Sequence, residues 1–207
     1  MEEQKSFALV RMETFSDGVI AVIITIMALE LKVPEVVGNF QPDVLVHLLP
    51  KMASYAIAFA SVGASWIQHQ LALRDVKRAT LKLFWLNLGY LFCASLIPFA
   101  TAFLGEHPSL PFAVAMWGTA AGLVVFTGHL VYAAAHRERP YERWSRRRSF
   151  FSVAAALASV GSAFLSVYLA WFLLFMGFAI NVIPIPLARR IFSRNRDLAG
   201  SLNQEEG

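Results

Sequence analysis

Long apolar stretches separated by short clusters of charge dominate the chain. A bilayer core about 30 Å thick takes roughly 20 mostly apolar residues per helical crossing, and several stretches reach that length. Apolar content and the interrupting charges predict helix 1 at about 8–31, helix 2 at about 47–71, helix 3 at about 81–104 and helix 4 at about 110–135. From Phe150 to Phe192 only Arg189 and Arg190 are charged, and a run of that length is about two crossings. Dividing it near Ser166 to Tyr168 gives helix 5 at about 149–166 and helix 6 at about 169–191. The expected fold class is all-α, a polytopic membrane protein with six transmembrane helices. Residues 1–194 are read as one transmembrane domain, and 195–207 as a short polar tail expected to be disordered.

Positive charge orients this plan, because cationic loops resist translocation. Lys5 and Arg11 flank the start of helix 1, and Arg74, Lys77, Arg78 and Lys82 fill the second connection. Arg137, Arg139, Arg143, Arg146, Arg147 and Arg148 crowd the fourth, while Arg189, Arg190, Arg194 and Arg196 follow helix 6. Of all eighteen lysines and arginines, only Lys32 and Lys51 fall on the other side. That arrangement needs an even number of crossings and puts both termini in the cytoplasm. The first segment begins with Glu2, Glu3 and Lys5 and carries Asp17, unlike a cleavable leader, so it is expected to persist as a mature helix.

Composition agrees with a lipid setting. The 207 residues are 57% hydrophobic and 15% charged, too apolar for one soluble core of this size. The net charge of +4 resides in juxtamembrane clusters without a soluble module around them, so they read as topology determinants touching anionic lipid, with no nucleic-acid partner. Cys93 is the one cysteine, which excludes an intrachain disulfide or a thiolate cluster and leaves it a packing residue.

Chemistry concentrates in helix 1, in the run Arg11-Met-Glu-Thr-Phe15-Ser16-Asp17-Gly18. Ionisable groups inside a membrane helix are costly, so Arg11, Glu13 and Asp17 call for partners, water or an interfacial position. A polar first turn entering from the cytoplasmic interface is the plainer reading. Further along, Val22, Ile26 and Leu29 recur at spacings of four and three and stack on one stripe, with Thr25 beside it. Such a stripe is either an ordinary packing or lipid-facing surface, or a pore lining of aliphatic rings that controls wetting. Elsewhere Trp66, His69, Trp85, Asn87, His129 and Asn181 are polar groups on apolar helices, whose default use is interhelical hydrogen bonding. Gly118 and Gly122 form a small-x-x-x-small pair suited to close packing, and Pro98, Pro184 and Pro186 are expected to kink or end helices. No phosphate loop, nucleophile elbow, paired-carboxylate or histidine metal motif, or Thr-Val-Gly-Tyr-Gly filter occurs. No enzyme activity, cofactor or bound metal is therefore expected.

The run Arg11-x-x-x-Phe15-Ser16-Asp17-Gly18-Val19, followed by Thr25 and Leu29-Glu30, resembles the helix 1 signature of the transmembrane protein 175 family of potassium channels. Trp66 with His69, Leu86-Asn87 and Pro98-Phe99 resemble its helix 2 and helix 3 features. The resemblance implies a homotetramer in a bacterial inner membrane, with one six-helix unit per chain and helix 1 of each subunit around a central pore. It implies a constriction at Val22, Ile26 and Leu29 in place of a carbonyl filter, Val22 being smaller than the isoleucine common in relatives. It further implies that Arg11, Phe15, Ser16 and Asp17 hold helix 1 through His69, Asn87 and nearby tryptophans. Thr25 and Glu30 would lie next to the pore, Glu30 near its outer end, where four carboxylates concentrate cations; an external salt bridge is the other use for it.

The function expected is a potassium-preferring leak channel, with potassium ions, the bilayer and three further copies of the chain as partners. Two other classes compete with it. A small proton-coupled transporter would use Asp17 and His69 at a broken helix, although the two sets of three helices show no convincing repeat. A redox enzyme would use His69 and His129 as haem ligands, with no accompanying motif in support.

Overall fold

The protein is described by a computed structural model covering residues 6–31, 43–74, 76–136 and 143–182. Every element in those residues is an α-helix, and no strand occurs among them. The order is α1 (Phe7–Leu29), α2 (Asp43–Leu73), α3 (Leu81–Ser95), α4 (Ile97–Glu106), α5 (Pro111–Ala135), α6 (Arg143–Ala163) and α7 (Val167–Val182). Phe7–Leu29, Leu81–Glu106 and Pro111–Ala135 are each long and apolar enough to cross a membrane.

Local chemistry explains where the helices begin and break. Ser6 caps α1 by accepting the Leu9 amide at 3.4 Å, and Thr80 caps α3 by accepting that of Leu83 at 3.2 Å. The expected helix 3 divides into α3 and α4 because Pro98 has no amide hydrogen to continue the ladder. The chain tightens there instead, Leu96 N–H donating to Cys93 O at 3.2 Å, and remains helical on both sides. The long apolar run divides over 164–166, slightly before the expected place, because Ser166 caps α7 through the Leu169 amide at 3.4 Å. Helix 5 also starts earlier than expected: Arg143, Arg146, Arg147 and Arg148, assigned to a connection by their charge, lie in the opening turns of α6. Arginine is a good helix former, so a charge cluster by itself does not end a helix. Helix 2 is likewise longer at both ends than expected, and contains Pro50. Pro184, Pro186, Arg189, Arg190, Arg194, Arg196 and the tail over 195–207 lie outside the described residues.

Packing is centred on α5, which touches α2, α3, α4, α6 and α7. Small residues bring α5 and α6 together. A methyl group added at Gly122 would stand 2.9 Å from Ala156 Cβ, and one at Gly118 would stand 3.3 Å from Ser159 Oγ. In lipid the apolar surface of helices has no drive to hide from its surroundings, so this close backbone approach is what binds the helices. Trp117 Nε1 adds a hydrogen bond to Thr101 Oγ1 at 3.1 Å, joining α5 to α4.

Helix α1 is placed differently. It packs against α2, α3 and α4 through a single stripe: Leu9, Met12, Ser16, Ile20, Ile23 and Met27 are buried. Only 28% of its most apolar stretch is buried, against 56% in Leu81–Glu106, so much of an intensely apolar helix faces outward from the subunit.

Candidate functional site

Two features meet on α1, a polar attachment near its first half and an uncovered aliphatic stripe beyond it. The attachment is a chain of hydrogen bonds through three helices. Ser16 is fully buried and donates its hydroxyl hydrogen to Met12 O at 2.8 Å, so toward its other neighbour it can only accept. That neighbour is Asn87 on α3, whose Nδ2 donates to Ser16 Oγ at 2.9 Å. Its Oδ1 then faces His69 on α2, and His69 Nε2 donates to it at 2.6 Å. Tyr90 stacks on the imidazole with ring centroids 5.0 Å apart, and its hydroxyl meets Ser65 Oγ at 2.9 Å.

Asp17 makes the second attachment, by a different pair of donors. Trp66 Nε1 and Gln70 Nε2, both on α2, donate to its Oδ1 at 2.8 and 2.5 Å. Trp66 and Gln70 are four apart and so share one face of α2, which turns two donors toward one carboxylate oxygen. At the start of the helix, Ser6 N–H donates to Lys77 O at 2.9 Å, tying α1 to the connection between α2 and α3. Thus Ser16, Asp17, His69 and Asn87 are drawn into the attachment, while Arg11 and Phe15 stand exposed on α1 outside these bonds. Gln70 belongs to the set although nothing in the sequence marks it, apart from its place one turn after Trp66.

The stripe lies elsewhere on the helix. At about 100° per residue, Val22, Ile26 and Leu29 centre roughly a third of a turn from the buried stripe. They are 55%, 41% and 79% exposed. Val22 and Ile26 line an open groove with Phe15, Gly18, Pro98 and Phe99, which lets α1 and the α3–α4 break form one surface. Thr25 is exposed beside them, its hydroxyl hydrogen donated to Val22 O at 2.8 Å, which leaves its oxygen lone pairs facing out. Glu30 ends the helix as its C-cap and is exposed. It shares a small hollow with Lys51 and Glu106, which pair with each other at 3.6 Å. No cluster of three or more metal-ligating side chains occurs among the described residues. The side chain of Asn181 lies outside them, and His129 of α5 lines a partly open cavity between the helices.

The chain as a whole has counterparts among known proteins. Residues 11–98 match the family described as the endosomal/lysosomal potassium channel TMEM175. A potassium channel of Streptomyces collinus is 31% identical over 196 residues, covering 85% of this chain and 94% of its own length. One from a Chryseobacterium species is 31% identical over 166 residues, covering 77% of this chain and 85% of its own. The crystal structure of a lysosomal potassium-selective channel TMEM175 homolog from Chamaesiphon minutus superposes with a TM-score of 0.72 at 25% identity, covering 86% of this chain and all of that one.

Proposed function

This chain belongs to the TMEM175 family of potassium channels, and we propose that it conducts potassium through a pore lined by α1 from four copies, preferring potassium to sodium. The observation that carries the proposal is the exposed stripe of Val22, Ile26 and Leu29 on a helix otherwise bolted to its own subunit by Ser16 and Asp17. An apolar stripe this open needs a cover, and four α1 helices meeting around an axis cover it with one another. Lipid would cover it equally well on energetic grounds, since tails are as apolar as leucine. The polar bonds support the axis. Lipid contact needs no particular orientation of a helix, whereas Ser16 and Asp17 fix the rotation of α1 and so the direction in which the stripe points.

In that arrangement residues 1–194 act as one channel domain with six crossings, α3 and α4 forming one of them, in a cell membrane with both ends in the cytoplasm. Rings of valine, isoleucine and leucine supply no oxygen ligands. An ion crossing them must shed part of its water, and potassium gives up water more readily than sodium, so the preference for potassium is modest and the conductance leak-like. Four copies of Glu30 at the outer end raise the local concentration of cations before that step. Proton-coupled transport is not favoured, because the relatives that match over most of their length are potassium channels.

The test is ion flux through the purified protein in liposomes under potassium and sodium gradients, with Ile26→Asn beside the natural sequence. Faster flux with a ratio nearer to one in the variant is the expected result. Flux unchanged by Ile26→Asn would remove Ile26 from the constriction, and uptake driven only by a proton gradient would overturn the channel reading.

A further inference from the structure

Within the helix packing, away from the exposed stripe, a partly open cavity of about 120 Å³ lies between α2, α3, α5, α6 and α7, with Ile20 of α1 and Ile97 of α4 also on its wall. Its wall is mainly apolar, set with His69, Tyr90, His129 and Ser152. Two of these side chains carry buried atoms with no hydrogen-bond partner among the described residues: His69 Nδ1 and Ser152 Oγ. Both residues are more than nine-tenths buried, at 4% and 3% exposure. A buried polar group left unpaired costs about 1–3 kcal/mol, so two on one cavity wall point to something that pairs with them.

The hydrogen-bond chain fixes what kind of group His69 requires. Ser16 donates to Met12 O and can only accept from Asn87, so Asn87 presents its oxygen to His69, and the hydrogen between them belongs to His69 Nε2. In the neutral ring the remaining nitrogen, Nδ1, is then an acceptor and takes a donor from the cavity. Size limits the rest. An apolar cavity of about 150 Å³ holds one benzene; this one is smaller but partly open, so it takes no more than one small ring, with a polar substituent at its wall.

We propose that each subunit carries a binding site for a small, largely apolar molecule with one O–H or N–H donor, of the size and chemistry of a simple phenol, its donor on His69 Nδ1 and its ring among the apolar side chains of α5 and α7. Ser152 Oγ, on the same wall, offers the second polar contact. Because His69 is joined through Asn87 to Ser16, occupancy reaches the attachment of α1, and a bound phenol shifts ion flux. That second effect rests on the channel reading; the binding does not.

The experiment uses the full chain in lipid nanodiscs with 4-fluorophenol, followed by fluorine NMR. The expected result is a saturable bound signal that phenol displaces and that benzene, lacking the donor, displaces only at roughly three- to tenfold higher concentration. Val125→Phe, which puts a ring into the cavity from α5, abolishes the signal. Ser152→Ala, a smaller change that keeps the cavity open, weakens binding about threefold. A signal that grows only in proportion to lipid and is the same in both variants would mean partition into the bilayer and would overturn the site. Absence of any bound signal would mean that water holds the cavity, with the same consequence. Saturable binding to a protein that shows no flux with or without the phenol would leave the site standing and remove the channel reading; flux without binding would do the reverse.

Discussion

Asn87 of α3 stands between Ser16 of α1 and His69 of α2, donating to the first at 2.9 Å and accepting from the second at 2.6 Å. One carboxamide therefore joins three helices, each partner using an atom that has no other interhelical bond. Interhelical hydrogen bonds in membranes average only about 0.6 kcal/mol, so Asn87 would be a minor residue if its loss merely returned two groups to solvent. Here it does not. Ser16 and His69 are buried at 0% and 4% exposure, and removing Asn87 strands a donor on one of them. Asn87→Leu, close to it in size, is expected to destabilise the subunit by about 1–3 kcal/mol, read from denaturation in detergent. A loss below about 0.5 kcal/mol would mean that the two groups find new partners, and the chain of bonds would lose its structural importance.

In the proposed channel Asp17 is expected to act on assembly rather than on the packing of the subunit. It is exposed within the single chain, and its Oδ1 accepts from both Trp66 and Gln70. Solvent exposure weakens each bond, but together they fix the rotation of α1 and hence what the stripe faces. Asp17→Ala is expected to lower the tetramer fraction, by roughly three- to tenfold in dissociation constant, while leaving flux per assembled tetramer nearly unchanged. Asp17→Asn keeps a carbonyl acceptor and should restore most of the loss. Native mass spectrometry with parallel flux measurement separates the two effects. A fully stable tetramer of Asp17→Ala would contradict the anchoring role.

How much of this was legible in the residues depends on the range of the interaction. Helix positions follow largely from apolar runs, because crossing a bilayer imposes length on a helix: α1 and α5 lie close to the expected spans, and α3 with α4 fills a third, while α2 and α6 begin before theirs. Breaks inside a run were harder: Pro98 marks its own, but the one over 164–166 rests on the Ser166 cap, which looks in sequence like any serine in an apolar stretch. Ser16, Asp17, His69 and Asn87 stood out because polar groups on apolar helices need partners. Gln70 did not, since its bond spans 53 positions and depends on how α1 crosses α2. The cavity beside His69 is equally hidden, being formed by the gaps between helices rather than by any motif.

Glycines test which surfaces are closed within one subunit and which are closed by another copy. At Gly122 a side chain would strike Ala156 Cβ, 2.9 Å from the nearest possible Cβ, whereas at Gly18 nothing lies within 4 Å. Gly122→Leu is therefore expected to cost about 1–3 kcal/mol of subunit stability through overpacking between α5 and α6. Gly18→Leu should leave the stability of the isolated subunit within about 0.5 kcal/mol, as for most outward-facing substitutions. Gly18 lines the groove beside Val22 and Ile26, so in the proposed tetramer it faces a neighbouring copy, and Gly18→Leu should reduce assembly. Size-exclusion profiles with unfolding curves of the two variants make the comparison. Equal assembly of Gly18→Leu and the natural sequence would place that groove against lipid.

Val22 gives the sharpest test of the constriction, because the change it calls for adds a single methylene group. In the proposed pore, four side chains approach the axis at that level, so one carbon on each narrows the opening from four directions at once. Narrowing raises the amount of water an ion must shed, and the added cost falls more heavily on sodium than on potassium. Val22→Ile is therefore expected to lower potassium flux severalfold and raise the ratio of potassium to sodium, the opposite of the change proposed for Ile26→Asn. Subunit stability is expected to change little, since Val22 is 55% exposed and lines an open groove. Reversal potentials under bi-ionic conditions, measured for both variants in one preparation, decide the matter. If the two substitutions move selectivity in the same direction, the stripe acts through the packing of α1 and not through the width of a pore.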